Sequence, residues 1–172
     1  MILKSKIKDV KIIINKCFFD KRGYFKELLR EKDLNKKFPF VVMSFSKKNV
    51  IRGMHLQTKN SQGKFVSVLK GKIFDVIIDL RKNSKTFGKK ITSILSEKNC
   101  KSVYVPPGFA HGFCGLSNEN YVIYSCTKYR EAKHEVGIAF NDKDLKIKWP
   151  VKKPILSYKD KNNINFAEFK KK

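Results

Sequence analysis

The chain reads as an all-β protein, folded as a barrel or jelly roll. Three observations predict this: apolar runs of strand length recur along it, turn residues separate them, and β-branched residues dominate several of them. The series opens with residues 10–15 (Val-Lys-Ile-Ile-Ile-Asn) and continues through 38–45, 50–57 and 64–69. Residues 72–80 (Lys-Ile-Phe-Asp-Val-Ile-Ile-Asp-Leu) are rich in β-branched side chains, which favours strand over helix. Residues 90–95, 102–105, 112–116 and 121–128 complete the set. Two helices are expected at the periphery. One spans 27–37, where Phe25, Leu28 and Leu29 would meet the core, and the other lies near 166–171.

The 172 residues suit one domain, 1–172, able to bury roughly 70% of its unfolded surface. With 41% hydrophobic residues and 14 Phe, a core is available and global disorder is excluded. No apolar run approaches the ~20 residues of a membrane helix, so no membrane partner is expected. The start, Met1-Ile-Leu-Lys-Ser-Lys-Ile-Lys-Asp9, lacks the apolar stretch of a secretory signal, and a cytoplasmic protein is expected. Cys17, Cys100, Cys114 and Cys126 form no Cys-x-x-Cys pair, which predicts reduced thiols and no zinc site.

Lys and Arg number 39 against 15 Asp and Glu, a formal charge of +24. Such a balance raises the question of nucleic acid. Only five of the cations are arginines (Arg22, Arg30, Arg52, Arg81 and Arg130), and the lysines are spread along the whole chain. Planar bidentate donors are what base-reading and phosphate-gripping surfaces favour. The charge therefore reads as a solvated lysine-rich surface rather than a nucleic-acid site, although its field would gather a diphosphate.

There are three histidines. His55 lies in Asn49-Val-Ile-Arg-Gly-Met-His-Leu-Gln57; regular alternation would put it on one face with Ile51 and Gly53, and Arg52, Met54 and Leu56 on the other. Taken alone it reads as a satisfied core histidine or as a catalytic one. His111 follows a Pro-Pro-Gly turn, and His134 reads as a surface residue. Neither a His-x-His pair nor a nearby Glu supports a metal site at His55. Asp75 and Asp79 alternate beside Arg81 and read as structural.

Several segments resemble, in order, the dTDP-4-dehydrorhamnose 3,5-epimerase family. They are Asp20-Lys-Arg-Gly-Tyr-Phe-Lys-Glu27, Ile51-Arg-Gly-Met-His-Leu-Gln57, Gln62-Gly-Lys64 and Gly71-Lys-Ile-Phe-Asp-Val-Ile-Ile-Asp-Leu-Arg81. Ser84-Lys-Thr-Phe-Gly88, Pro107-Gly-Phe-Ala-His-Gly-Phe113, Tyr124, Glu135, Asn141-Asp142 with Ile147-Lys-Trp-Pro150, and Leu156-Ser-Tyr-Lys-Asp160 follow. The resemblance implies a cupin-type jelly roll (a double-stranded β-helix) with short peripheral helices, acting as a homodimer without metal or organic cofactor. The implied reaction inverts carbons 3 and 5 of a nucleoside-diphospho-4-keto-6-deoxy sugar, in deoxysugar biosynthesis for surface polysaccharide. Single-carbon epimerases and ketoisomerases resemble the same family, and a sugar-binding jelly roll is the non-enzyme alternative.

The resemblance also implies a cast of residues. His55 matches the base, Asp160 its carboxylate partner, Tyr124 the acid on the opposite face, and Lys64 the active-site lysine. Arg52 and His111 match sugar and phosphate contacts, while Arg22, Glu27, Glu135 and Lys159 match further substrate-binding positions. The region around Arg22 and Glu27 would come from the neighbouring subunit. Val42-Met43-Ser44 stands where the family often carries a Gln and an Asn against the nucleotide base, which leaves the nucleoside open.

Overall fold

The computed structural model describes residues 1–171. In chain order the elements are β1 (Ile2–Lys4), β2 (Lys11–Ile14), β3 (Cys17–Asp20), β4 (Gly23–Lys26), α1 (Glu31–Leu34), β5 (Phe40–Lys47), β6 (Ile51–Gln57) and β7 (Lys64–Lys70). There follow β8 (Lys72–Asp79), β9 (Lys90–Ser96), β10 (Lys101–Val105), β11 (Phe109–Gly115), β12 (Glu119–Cys126), β13 (Glu135–Gly137), α2 (Tyr158–Lys161) and α3 (Phe166–Lys170). Two antiparallel sheets face one another, as in a jelly roll. The six-stranded sheet runs β1-β2-β10-β7-β12-β5 and the five-stranded sheet β13-β6-β11-β8-β9.

Alternation assigns the faces. From β7, β12 and β10, Val66, Val68, Val122 and Val103 turn inward against Ile73, Ile77, Phe109 and Phe113 of the five-stranded sheet. The intervening residues Val76, Ile78 and Ala110 point to the other side of that sheet, where Leu145, Phe166 and Phe169 of the C-terminal segment cover them. Both faces of β8 and β11 are therefore buried, which explains their nearly continuous apolar sequence. Asp142 ties the covering segment down, its carboxylate accepting from the backbone N–H groups of Leu145 and Phe166 at 2.9 and 2.7 Å.

All nine expected strands form, with shifted ends. The helix expected over 27–37 contracts to the single turn α1. The Glu27 N–H is taken by the Lys16 carbonyl at 3.0 Å, Arg30 supplies no side-chain cap, and Asn35 in the left-handed region ends the turn. The expected C-terminal helix forms as α3, opened by a reciprocal Asn165–Glu168 capping box. Beyond the expected elements, β3 and β4 pair as a ribbon that joins neither sheet.

Candidate active site

A cleft between the two sheets, about 190 Å³, is lined by Arg52 and His55 of β6, His111 and Phe113 of β11, and Tyr124 and Cys126 of β12. Phe40, Val42, Gln62, Lys64, Arg130 and Glu135 complete it. His55 and Arg52 reach the same cleft although regular alternation would separate them. The register explains this: His111 faces His55 while Phe113 faces Arg52, so three steps along β6 match two along β11. The extra residue is a β-bulge, which turns Arg52 to the side of His55 and leaves Met54 and Leu56 in the outer core. Gly53 permits it, with φ +128° and a backbone so close to Gly112 that a Cβ would lie 2.6 Å from the Gly112 Cα.

His55 Nε2 lies 2.6 Å from Asp160 Oδ1. The histidine is part exposed to the cleft, whereas the aspartate side chain is 4% exposed. Asp160 sits on the one-turn helix α2, whose Ser157 cap accepts its backbone N–H at 3.1 Å. Ile155 bridges to β6 on both sides of Val50, which carries this turn to the back of His55. Burial alone would raise the Asp160 carboxyl; the bond from His55, aided by Ser157 and Asn163, holds it below the usual carboxylate range. With Nε2–H donated to the carboxylate, Nδ1 is the ring atom left to take a proton.

Tyr124 stands on the facing sheet. Burial pushes its phenol above the usual value, opposed by a hydrogen bond with Ser44. The phenol therefore stays protonated at neutral pH. Lys64 is paired with Cys126 across β7 and β12, one row along from Tyr124. Burial lowers its pKa, opposed by the fields of Cys126 and Glu135. Arg52 is steadied by Ser46 Oγ and the Phe45 carbonyl, both at 2.9 Å.

His111 is deeper. Its Nε2 contacts Asp75 Oδ2 at 2.7 Å, with both side chains buried. Asp75, expected to be structural, is thus a second carboxylate–imidazole pair beneath the cleft. Asp79 is structural: fully buried, it accepts from Arg81, Ser84 and Thr86. At the rim, Glu135 takes a bidentate fork from Arg130 (2.7 and 2.9 Å) and Lys159 at 2.8 Å. Burial would raise the Glu135 carboxyl, but these cations bring it down to about 2.

Of the ten residues expected in the site, His55, Lys64, Arg52, His111, Tyr124 and Glu135 line the cleft, Asp160 stands directly behind His55, and Lys159 joins the rim through Glu135. Arg22 and Glu27 do not. Arg22 pairs with Asp20 at the exposed end of the ribbon, and Glu27 pairs with Arg30 beside a different cavity. Sequence reasoning missed Arg130, Asp75, Phe40 and Cys126 as site residues. Arg130 carried a signal, being one of five arginines in a lysine-rich chain. Val42 faces Tyr124 directly across β5 and β12, and Ser44 bonds its hydroxyl, so both positions border the phenol.

The model of the dTDP-4-dehydrorhamnose 3,5-epimerase family matches residues 4–168. A protein of Shigella flexneri named dTDP-4-dehydrorhamnose 3,5-epimerase is 41% identical over 174 residues, covering 97% of this chain and 96% of its own. The crystal structure of the enzyme of that name from Bacillus anthracis, with TDP and pyrophosphate bound, superposes with a TM-score of 0.92 at 39% identity, covering 96% of this chain and 98% of its own. A dTDP-6-deoxy-D-glucose-3,5-epimerase from Legionella pneumophila, in complex with dTDP-4-keto-L-rhamnose, gives the same TM-score and identity over 96% of this chain and 92% of its own.

Proposed function

The chain belongs to the dTDP-4-dehydrorhamnose 3,5-epimerase family, and on that premise we propose how its side chains divide the work of inverting carbons beside a ketone. The protein is an epimerase of nucleoside-diphospho-4-keto-6-deoxy sugars. Carbons 3 and 5 flank the carbonyl, so loss of either proton gives an enolate. Inversion requires a base on one face of the ring, an acid on the other, and positive charge at the enolate oxygen.

His55 is the base. Its Nδ1 takes the carbon-bound proton and the Asp160 carboxylate stabilises the imidazolium that forms, as in other His–Asp pairs. Tyr124 is the acid, and Lys64 offers its ammonium to the enolate oxygen. Arg52 and Arg130 form a cationic rim for the diphosphate, where Arg forks phosphate well. Glu135 and Lys159 set that rim, and His111, fixed by Asp75, contacts the sugar–phosphate side. The observation that carries the reading is the placement of His55, backed by Asp160 of α2, on one sheet and Tyr124 on the other, with the cleft between them.

A homodimer of single-domain subunits completes the proposal. Phe18, Phe19, Tyr24 and Phe25 on the β3–β4 ribbon are all more than half exposed, as are Val41 and Met43 on edge strand β5. A two-stranded ribbon with such a surface is marginal alone and gains by covering a second copy. That arrangement would carry Arg22 and Glu27 to the partner's cleft. Phe19→Asp should give a monomer by light scattering; a variant that remains dimeric contradicts this role for the ribbon. No helix among the described residues is long and apolar enough to cross a membrane. The cytoplasm is the proposed compartment, with the product feeding glycan synthesis.

The test is incubation with dTDP-4-keto-6-deoxyglucose in deuterated water, followed by proton NMR. Deuterium at carbons 3 and 5 with altered couplings supports double inversion. Exchange at one carbon makes the protein a single-site epimerase, and no exchange overturns the acid–base reading.

A further inference from the structure

The acid on the six-stranded sheet does not stand alone. The Tyr124 hydroxyl lies 3.2 Å from Ser44 Oγ. Ser44 belongs to edge strand β5, where alternation turns residues 42, 44 and 46 inward, while Met43 and Phe45 are exposed outside. Val42 lines the cleft opposite Tyr124, and Ser46 accepts from Arg52 Nε at 2.9 Å. Ser44 pairs across the strands with Val122, which is wholly buried in the inter-sheet core. An inward hydroxyl in such a row needs a hydrogen-bond partner, and among the described residues the phenol is that partner.

The direction of this bond follows from the chemistry. A phenol that delivers its proton to carbon must aim O–H at the sugar, leaving an oxygen lone pair to accept from Ser44. As the proton leaves, negative charge grows on that oxygen and the bond from Ser44 becomes charge-assisted, about twice as strong as a neutral one. An interaction that strengthens along the reaction accelerates the step rather than merely tightening binding.

We propose that Ser44 is a positioning residue for Tyr124: its hydroxyl donates to the phenol oxygen, aims the phenol proton at the sugar, and takes up the charge left when that proton is delivered. The proposal rests on the reading of Tyr124 as the acid. In the step, the Tyr124 O–H bond breaks and a C–H bond forms with the enolate's electron pair. The negative charge passes from the enolate oxygen to the phenolate. Between turnovers Tyr124 recovers a proton from water and His55 returns one to it. Ser44 also opposes the upward push of burial on the phenol, in keeping with a bond that favours the phenolate.

The experiment compares wild type, Ser44→Ala and Ser44→Thr with dTDP-4-keto-6-deoxyglucose in deuterated water. Deuterium wash-in and inversion are scored separately, alongside dTDP affinity and the thermal midpoint. Ser44→Ala should keep wash-in within about twofold, because His55 still removes and returns protons on its own face. Inversion should fall about 10- to 100-fold, the worth of one hydrogen bond to a charged group. Ser44→Thr, which keeps the hydroxyl, should restore inversion to within about threefold. With an active wild type, Ser44→Ala inverting at the wild-type rate overturns the proposal alone. So does equal loss of wash-in and inversion, which would mark Ser44 as structural, or failure of Thr to rescue. A wild type that neither exchanges nor inverts overturns the reading beneath it, and the proposal with it.

Discussion

Asp160→Asn isolates the charge behind His55 without changing its shape. The carboxylate is 2.6 Å from Nε2 and its side chain is 4% exposed, so solvent screens the contact little. A hydrogen bond to a charged group is worth about 1.5–3 kcal/mol, which is roughly 10- to 150-fold in stabilising the imidazolium. The amide has a second effect. Its NH2 can donate to Nε2, placing the ring proton on Nδ1 and removing the lone pair that takes the sugar proton. Replacing an equivalent carboxylate by its amide in a hydrolase triad costs about 10⁴-fold. Together these predict a fall in wash-in at carbon 3 of at least about 100-fold. The dTDP affinity should hold, since Asp160 lies behind the ring. Initial rates by proton NMR in deuterated water give the first quantity, and calorimetric titration with dTDP the second. A wash-in rate within threefold of wild type would refute the argument, because neither the charge nor the tautomer would then matter.

Three other outcomes are expected. Gly53→Ala places a Cβ against the Gly112 Cα and the His111 carbonyl at 2.6 and 2.9 Å, at φ +128°. A cost of about 3 kcal/mol, or a fall of roughly 6–12 °C in thermal midpoint, should follow; a change within 1 °C would contradict the tight backbone approach. Lys64→Met should lower kcat about 100-fold, the scale of losing one oxyanion donor, with KM nearly constant in steady-state kinetics. A rise in KM alone would assign Lys64 to binding instead. Glu135 has its folded pKa depressed from 4.5 to about 2, so its ion pairs stabilise the fold above pH ~4.5, and that contribution is lost as pH falls toward 2. Its side chain is 17% exposed, and about 2 kcal/mol of acid sensitivity is expected after screening. Urea unfolding of Glu135→Gln should be flatter between pH 5 and 3 than that of wild type, and equal slopes would contradict the assignment.

The strand pattern was legible because β7, β8 and β11 bury residues on both faces, so short, β-branched-rich apolar runs mark them without need of alternation. The ribbon was not, because Phe18, Phe19, Tyr24 and Phe25 stay more than half exposed, meeting one another across the ribbon rather than a core, and give no one-sided pattern. The helix expected over 27–37 failed for a local reason: the Glu27 N–H goes to the Lys16 carbonyl, and Arg30 is extended (φ −122°, ψ 110°), so the turn begins only at Glu31. In the site, family resemblance supplied His55, Asp160, Tyr124 and Lys64, residue types that periodicity alone could not distinguish. The bulge at Gly53, which brings Arg52 round to His55, is a register property that no alternating pattern encodes. Asp75 read as structural from its alternation with Asp79 beside Arg81, and nothing local pointed to a histidine. Its actual partner, His111, lies 36 residues away, and only the β8–β11 pairing brings them together. Ser44 was noted only as a departure, and its contact with Tyr124 depends on the β5–β12 register.

The central claim is that facing sheets supply an opposed base and acid, His55 and Tyr124. The most direct test scores wash-in and inversion separately for His55→Ala and Tyr124→Phe, with dTDP-4-keto-6-deoxyglucose in deuterated water. The account predicts that His55→Ala shows neither, while Tyr124→Phe takes up deuterium from the His55 face and forms no inverted product. Wash-in by His55→Ala at the wild-type rate, or normal inversion by Tyr124→Phe, would contradict it.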